Sequence, residues 1–491
     1  MANFTIRTTR GQPLRTKIVC TLGPASSMPE VIGALIDTGM AVARLNFSHG
    51  DHARHRAIFE TVREVSRGRG RHVAILFDLC GPKIRLREIE GGSVTLGAGR
   101  KVAFVRGEQP GNARELTCNY EKLVDDVEVD EPIYINDGAV RLTVIAKTAQ
   151  RLECAIDVGG TLTGRKGINL PGTNVSSPAL TAKDEADLEF GVKLGADMFA
   201  LSFVRRPEDV LGLRARLEQL GSRALIVAKV EKPQALQHLG AIIEASDAIM
   251  VARGDLGIEL PVEKVPLHQK AIVRACREAL KPVIVATQVL ESMVHSPTPT
   301  RAEVSDIANA IEDGCDALML SAETASGEYP LEAVRTMAAV ARDVEKVLAQ
   351  SADPASFLQQ MAGERLRKAM VLGAAMIAEP LGAKFIVVRS ESGVTARYLS
   401  KVRGACPVIA ANPEEHVLRA HALLWGVLPV QTAEAANEAM DEELRSLARA
   451  IVGQGLVGPE DRIVVVSTYP WGENQPPNNI RTVTVGDVMA S

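Results

Sequence analysis

The chain has 491 residues, enough for about three domains, because one hydrophobic core rarely grows past ~300 residues. Apolar residues make up 46% and charged residues 24%, ordinary globular values that exclude a disordered, collagen-like or acidic-tail protein. Lys and Arg number 56 against 60 Asp and Glu, a net charge of −4, so no global positive field draws polyanions and nucleic acid is not an expected partner.

No apolar stretch approaches the ~20 residues that span a bilayer, and no membrane partner is expected. Seven cysteines are dispersed with no CxxC pair, which suits a reducing compartment and a cytoplasmic location. Residues 1–15 carry Arg7, Arg10 and Arg15 but lack the apolar core of a secretory signal. They read as an N-terminal arm, with an organellar presequence as the alternative.

In chain order, apolar runs alternate with helical stretches: KIVCTLG from Lys17, AVARLNFS from Ala41, VAILFDL from Val73 and MFALSFV from Met198. ALIVAKV from Ala224, AIMVARG from Ala248, PVIVAT from Pro282 and ALMLSAE from Ala317 follow. Continuous apolar character fits strands covered on both faces, and the intervening helices are the crossovers a parallel sheet needs. Eight such units predict a (β/α)8 TIM barrel over residues 16–87 and 171–351.

The spacing breaks once, by about 115 residues between the third and fourth runs, where other units repeat every ~25 to 40. Residues 88–170 read as short strands and turns (SVTLGAG, EPIYINDG, AVRLTVIA), predicting an inserted small β-barrel lid domain. Residues 352–491 restart the strand and helix alternation, predicting a C-terminal α/β regulatory domain.

A β/α barrel places its active site at the carboxyl ends of its strands. There the runs end in Arg44, Asn46, Ser48 and His49; in Asp78, with Lys83 and Arg85 beyond; in Lys229 and Glu231; in Arg253 and Asp255; in Thr287; and in Ser321 and Glu323. Taken singly, Thr287 reads as a helix cap, Ser321 as a turn hydroxyl and Arg253 with Asp255 as a rim ion pair. Six strands ending this way converge on one mouth. Glu231 and Asp255 are hard oxygen ligands without a Cys or His cluster, pointing to Mg2+ or Mn2+. Lys229, two residues before Glu231 on a strand, faces the same side and can stabilise an oxyanion. Arg44 and Arg85 are shaped to grip phosphoryl oxygens. Gly254 and Gly257 open a helix whose backbone N–H groups could receive a carboxylate.

The blocks TKIVCTLGPAS, AVARLNFSHGDH, LCGPKIR, RKGINLPG, SFVRRPEDV, AKVEKPQAL, SDAIMVARGDLGIELP, PVIVATQVLESM and MLSAETASGEYPLEAV resemble the pyruvate kinase family from about Thr16 to Val334. The resemblance implies phosphoryl transfer from phosphoenolpyruvate to ADP, giving ATP and pyruvate through an enolate. It implies catalytic roles for Arg44, Lys229, Thr287 and Ser321, and substrate contacts at Arg44, Lys229, Gly254, Asp255 and Thr287. It places the metal on Glu231 and Asp255, and the nucleotide on Asn46, His49, Arg85 and Lys166. A homotetramer is implied as well.

Many members of the family bind potassium at the positions of Asn46, Ser48, Asp78 and Leu79, with an acid where Lys83 stands here. The Lys83 ammonium can replace that cation, so potassium is not expected to be required. In the C-terminal domain Ser390, Ser392, Gly393 and Thr395 follow the KFIVV run and open a helix, a place for an effector phosphate. The closing loop STYPWGENQPPNNIRTV lacks the family's Gly-rich, Thr-containing pattern for fructose bisphosphate, favouring a sugar monophosphate or AMP. The rival readings are a metal-dependent aldolase or lyase acting on enolates, and a sensor of phosphometabolites without catalysis.

Overall fold

The eight apolar runs are buried along almost their whole length in the computed structural model, which describes residues 13–351, 355, 363–389, 392–433, 440–468 and 475–490. They form strands Lys17–Thr21, Met40–Asn46, Ala74–Asp78, Met198–Leu201, Leu225–Val230, Ala248–Ala252, Val283–Ala286 and Ala317–Leu320. Each pairs in parallel with its sequence neighbours, and the first pairs with the eighth, closing the barrel. Alternate residues divide between two cores, as the pleat requires. Val19, Val42, Leu76, Met250, Ile284 and Met319 fill the interior, while Ile18, Ile75, Phe77, Ile226 and Val285 pack against the surrounding helices.

Local signals set the helix limits. Thr181 with Asp184 and Thr300 with Glu303 form reciprocal capping boxes at the starts of Ala182–Leu194 and Arg301–Asp313. Gly195 and Gly314 end the same helices with φ of 81° and 100°, a left-handed turn that costs glycine little.

Between the third and fourth barrel strands the chain builds a two-stranded sheet and a six-stranded sheet around Phe104, Leu142, Val144, Leu152 and Ile156. Its entering and leaving arms run antiparallel. Leu86 N–H donates to Lys166 O at 2.8 Å, Ile168 N–H donates to Ile84 O at 2.9 Å, and Arg85 bridges Gly167.

The C-terminal sheet runs Val427–Gln431, Val408–Asn412, Phe385–Arg389, Arg462–Ser467, Asn479–Thr484, parallel except for the last strand. Helices cover both of its faces. Its turn His421–Leu423 inserts Ala422 and Leu423 into the barrel's interior core, closing the amino-terminal foot. Arg15, expected in a terminal arm, is instead buried in this junction, where its backbone N–H donates to Glu345 Oε2 at 3.1 Å.

Candidate active site

Parallel strands of equal register deliver their last side chains to one rim. Arg44 stands two residues before the end of Met40–Asn46 and Asp78 ends the neighbouring strand, and the guanidinium donates through Nε and Nη2 to Asp78 Oδ2 at 2.8 and 2.7 Å. Its Nη1 reaches Thr21 Oγ1 at 2.9 Å. Lys229 Nζ lies 2.8 Å from Glu231 Oε1, 3.3 Å from Asp78 Oδ1 and 2.7 Å from Ser202 Oγ. Three strand ends thus meet around one ammonium, and Arg44 joins them through Asp78.

The charges of this cluster are set by burial and by one another. Burial pushes the Asp78 carboxyl upward, but Lys229 and Arg44 outweigh it and hold Asp78 below its ordinary value. Burial works against the Lys229 ammonium, yet Asp78 and Glu231 raise it above its ordinary value, so it is charged at neutral pH. Glu231 differs: burial lifts its carboxyl, Lys229 opposes this, and Asp255 lifts it further, leaving it raised. Two carboxylates with one raised are a pair short of positive charge.

Glu231 stands one residue beyond its strand, and Asp255 lies in the first turn of helix Arg253–Glu259 rather than on a strand. Among the described residues no group of three or more His, Cys, Asp or Glu gathers to hold a metal. Two carboxylates are nonetheless the complement Mg2+ takes when substrate and water complete its shell, and the raised Glu231 fits a position that accepts a cation.

Gly254 N–H is not open: it donates to Thr287 Oγ1 at 2.7 Å. Thr287 and Gln288 adopt φ of 67° and 54°, a costly conformation for residues other than glycine. Arg253 braces them, donating to Thr287 O at 2.9 Å and Gln288 O at 3.2 Å while paired with Asp306 at 2.7 Å. A rim ion pair with Asp255 is not what Arg253 makes. Ser321 Oγ is buried and without a hydrogen-bond partner among the described residues, whereas its N–H donates to Glu323 Oε2 at 2.6 Å. Glu323 also accepts from Leu290 N–H at 3.1 Å and so ties the seventh and eighth loops together.

Around the rim, Asn46 Oδ1 accepts from Ser48 N–H at 3.0 Å, and His49 is exposed. Burial and then the charges of Lys83, Arg44 and Arg85 lower the His49 imidazole, which places it within the field of these three cations. The paired arms of the inserted module set Lys166 beside Arg85. Leu79 is buried, and its carbonyl accepts from Ser202 Oγ at 2.8 Å. In the C-terminal domain Ser390 lies outside the described residues, Ser392 is exposed, and Gly393, with φ of 75°, precedes helix Val394–Val402. Thr395 Oγ1 already accepts from Arg367 Nη1 at 2.7 Å.

Sequence reasoning missed Ser202, the Arg253–Asp306 brace and Arg367. A serine after an apolar run is a weak signal, and the two arginines act through partners 53 and 28 residues away.

The family model for the pyruvate kinase barrel domain matches residues 14–334, and that for the pyruvate kinase alpha/beta domain matches residues 368–483. Pyruvate kinase from Sporosarcina psychrophila is 41% identical over 479 residues, 97% of this chain and 81% of that protein. Pyruvate kinase from Staphylococcus aureus is 41% identical over 485 residues, with the same coverage. A crystal structure of a pyruvate kinase from Cryptosporidium parvum superposes with a TM-score of 0.90 at 33% identity, covering 96% of each chain.

Proposed function

The chain belongs to the pyruvate kinase family of phosphotransferases, and from that premise we propose how its barrel mouth moves a phosphoryl group from phosphoenolpyruvate to ADP. The observation that carries the reading is the Lys229 ammonium, buried and charged between Asp78, Glu231 and Ser202.

Arg44, oriented by Asp78, grips the oxygens of the transferring phosphoryl group. Lys229 faces the bridging oxygen on which negative charge grows as the P–O bond breaks, and a fixed charge in a water-poor site acts strongly there. Glu231 and Asp255 would hold Mg2+ or Mn2+, which when bound neutralises charge on the substrate. Gly254 N–H and Thr287 Oγ1, now bonded to each other, part to take the substrate carboxylate. The left-handed Thr287 backbone, fixed by Arg253, aims that hydroxyl at the enolate carbon. Ser321, with its hydroxyl uncommitted, passes the proton that converts enolate to pyruvate.

Asn46, His49, Arg85 and Lys166 hold the nucleotide phosphates, and the inserted module at residues 88–170 closes over them as a lid, keeping water from competing as acceptor. Potassium is not needed. Asp78 is engaged by Arg44 and Lys229, and Lys83 supplies positive charge in its place. The enzyme works in the cytoplasm as a homotetramer, and a phosphorylated effector, a sugar monophosphate or AMP, binds at Ser392, Gly393 and Thr395.

Pyruvate release from phosphoenolpyruvate with Mg2+, measured with and without ADP, tests this reading. Release that needs ADP is expected, and release of equal rate without ADP would overturn it.

A further inference from the structure

His421 is 2% exposed, and neither ring nitrogen has a hydrogen-bond partner among the described residues. A buried polar group left unpaired is costly, so it asks for an explanation. Its Nε2 points at the start of helix Val394–Val402: a Cβ placed on Gly393 would lie 2.8 Å from it. Two cations flank that start. Arg397 lies one turn into the helix, and Arg367, from helix Arg365–Ala378, donates to Thr395 Oγ1 at 2.7 Å.

We propose that His421 is the proton-accepting floor of this cradle: when a tetrahedral dianion of the phosphate-monoester class docks at Gly393 and Thr395, Nε2 takes a proton from solvent and donates it in a hydrogen bond to an anion oxygen. The inference rests on the reading of that helix start as the effector site. In the absence of an anion, burial and the charge of Arg397 push the imidazole down to about 4, so it is neutral. Among the described residues, the charged groups around it oppose protonation or are engaged elsewhere, Glu364 by Arg367 at 3.7 Å. Arg397 and Arg367 are cationic, Asp247 and Lys281 act on Arg397 from the barrel foot, and Arg419 on the preceding helix pairs with Asp197 at 2.6 Å and Glu415 at 2.9 Å. A dianion docked beside Arg397 and Arg367 reverses that balance.

The sign follows from linkage. The complex binds one more proton than the free protein, so affinity rises as pH falls through the value the anion gives His421, by up to about tenfold per pH unit, and levels off below about 4.

Sulfate, which does not itself titrate between pH 5.5 and 8, is the probe. Calorimetric titration of the full chain in two buffers of different ionisation enthalpy counts protons taken up per sulfate. Ser392→Glu, which sets a carboxylate in the cradle, identifies the binding that belongs to it. Wild type is expected to take up protons, more at lower pH, on binding sulfate in a step lost in Ser392→Glu. His421→Leu and His421→Gln, one apolar and one polar but neither titrating, are expected to abolish the uptake. Uptake unchanged in both variants would overturn the role of His421 while leaving the cradle standing. Sulfate binding indifferent to Ser392→Glu would overturn the cradle itself. Glucose 6-phosphate and AMP are then added as competitors. Displacement of sulfate by either assigns the ester, and failure of both would overturn the phosphate-monoester assignment.

Discussion

The two ends of the barrel hold buried charge in opposite ways. At the foot, Lys401 and Asp316 are fully buried and paired, with Lys401 reaching Asp316 Oδ2 at 2.5 Å. That same oxygen accepts Val283 N–H at 2.8 Å, and Arg403 adds Gly314 O and Cys315 O at 2.6 and 2.7 Å. At the mouth, the charges are left uneven: Glu231 is raised, Ser321 Oγ has no partner among the described residues, and Thr287 is held in a strained backbone. A closed network fixes the docking of one domain on another. An unfinished one leaves room for a substrate and a cation to complete it.

Breaking the mouth should cost activity far more than stability. Lys229→Met is expected to lower kcat by at least about 10³-fold, from the loss of one aimed charge at the developing oxyanion, with phosphoenolpyruvate KM much less affected. A fall in kcat of tenfold or less would remove Lys229 from that role. Breaking the foot should do the reverse. Lys401→Met strands the buried Asp316 carboxylate and is expected to destabilise the fold by about 3–5 kcal/mol in urea unfolding, while kcat in native buffer changes only a few-fold. Comparable losses of kcat in the two variants would erase the distinction.

Charged residues of this kind also mark where sequence reading ends. The barrel strands were legible because both faces of each are covered, giving unbroken apolar runs such as AIMVARG. The gathering of Arg44, Asp78, Lys229 and Glu231 was legible because strand ends must converge. Lys401 was not, since an alternation of polar and apolar residues in YLSKV reads as an ordinary helix face, and its partner lies 85 residues earlier. His421 carries no signal in the sequence, and only the fold shows it buried. The left-handed Thr287 left no trace, because threonine does not favour that conformation and partners distant in sequence, Arg253 and Gly254, hold it there.

The uneven charge at the mouth gives a subtler test. A raised Glu231 favours its protonated form in the fold. Its ionisation therefore costs stability as pH rises from the unfolded carboxyl value through the raised one, and a bound divalent cation offsets that cost. Mn2+ is expected to raise Tm by a few degrees at pH 7.5 and less at pH 5, with the effect absent in Glu231→Gln. An equal shift in that variant would place the metal elsewhere. Asp78 runs the other way. Held low by Lys229 and Arg44 against burial, it contributes stability above the unfolded carboxyl value that is lost as pH falls through the folded one.

The smallest expected effect concerns the monovalent ion. Turnover in tetramethylammonium and in potassium buffers should agree within about twofold, since Lys83 already supplies the charge. Lys83→Glu is expected to bring a potassium requirement. A large requirement in wild type would refute the substitution.

Soaking crystals with Mn2+ and oxalate, a mimic of the pyruvate enolate, examines the mouth most directly. The expected result is an anomalous manganese peak between Glu231 and Asp255, with an oxalate oxygen within hydrogen-bond distance of Lys229 Nζ. Manganese and oxalate found together at any other place would contradict the assignment of this cluster to phosphoryl transfer.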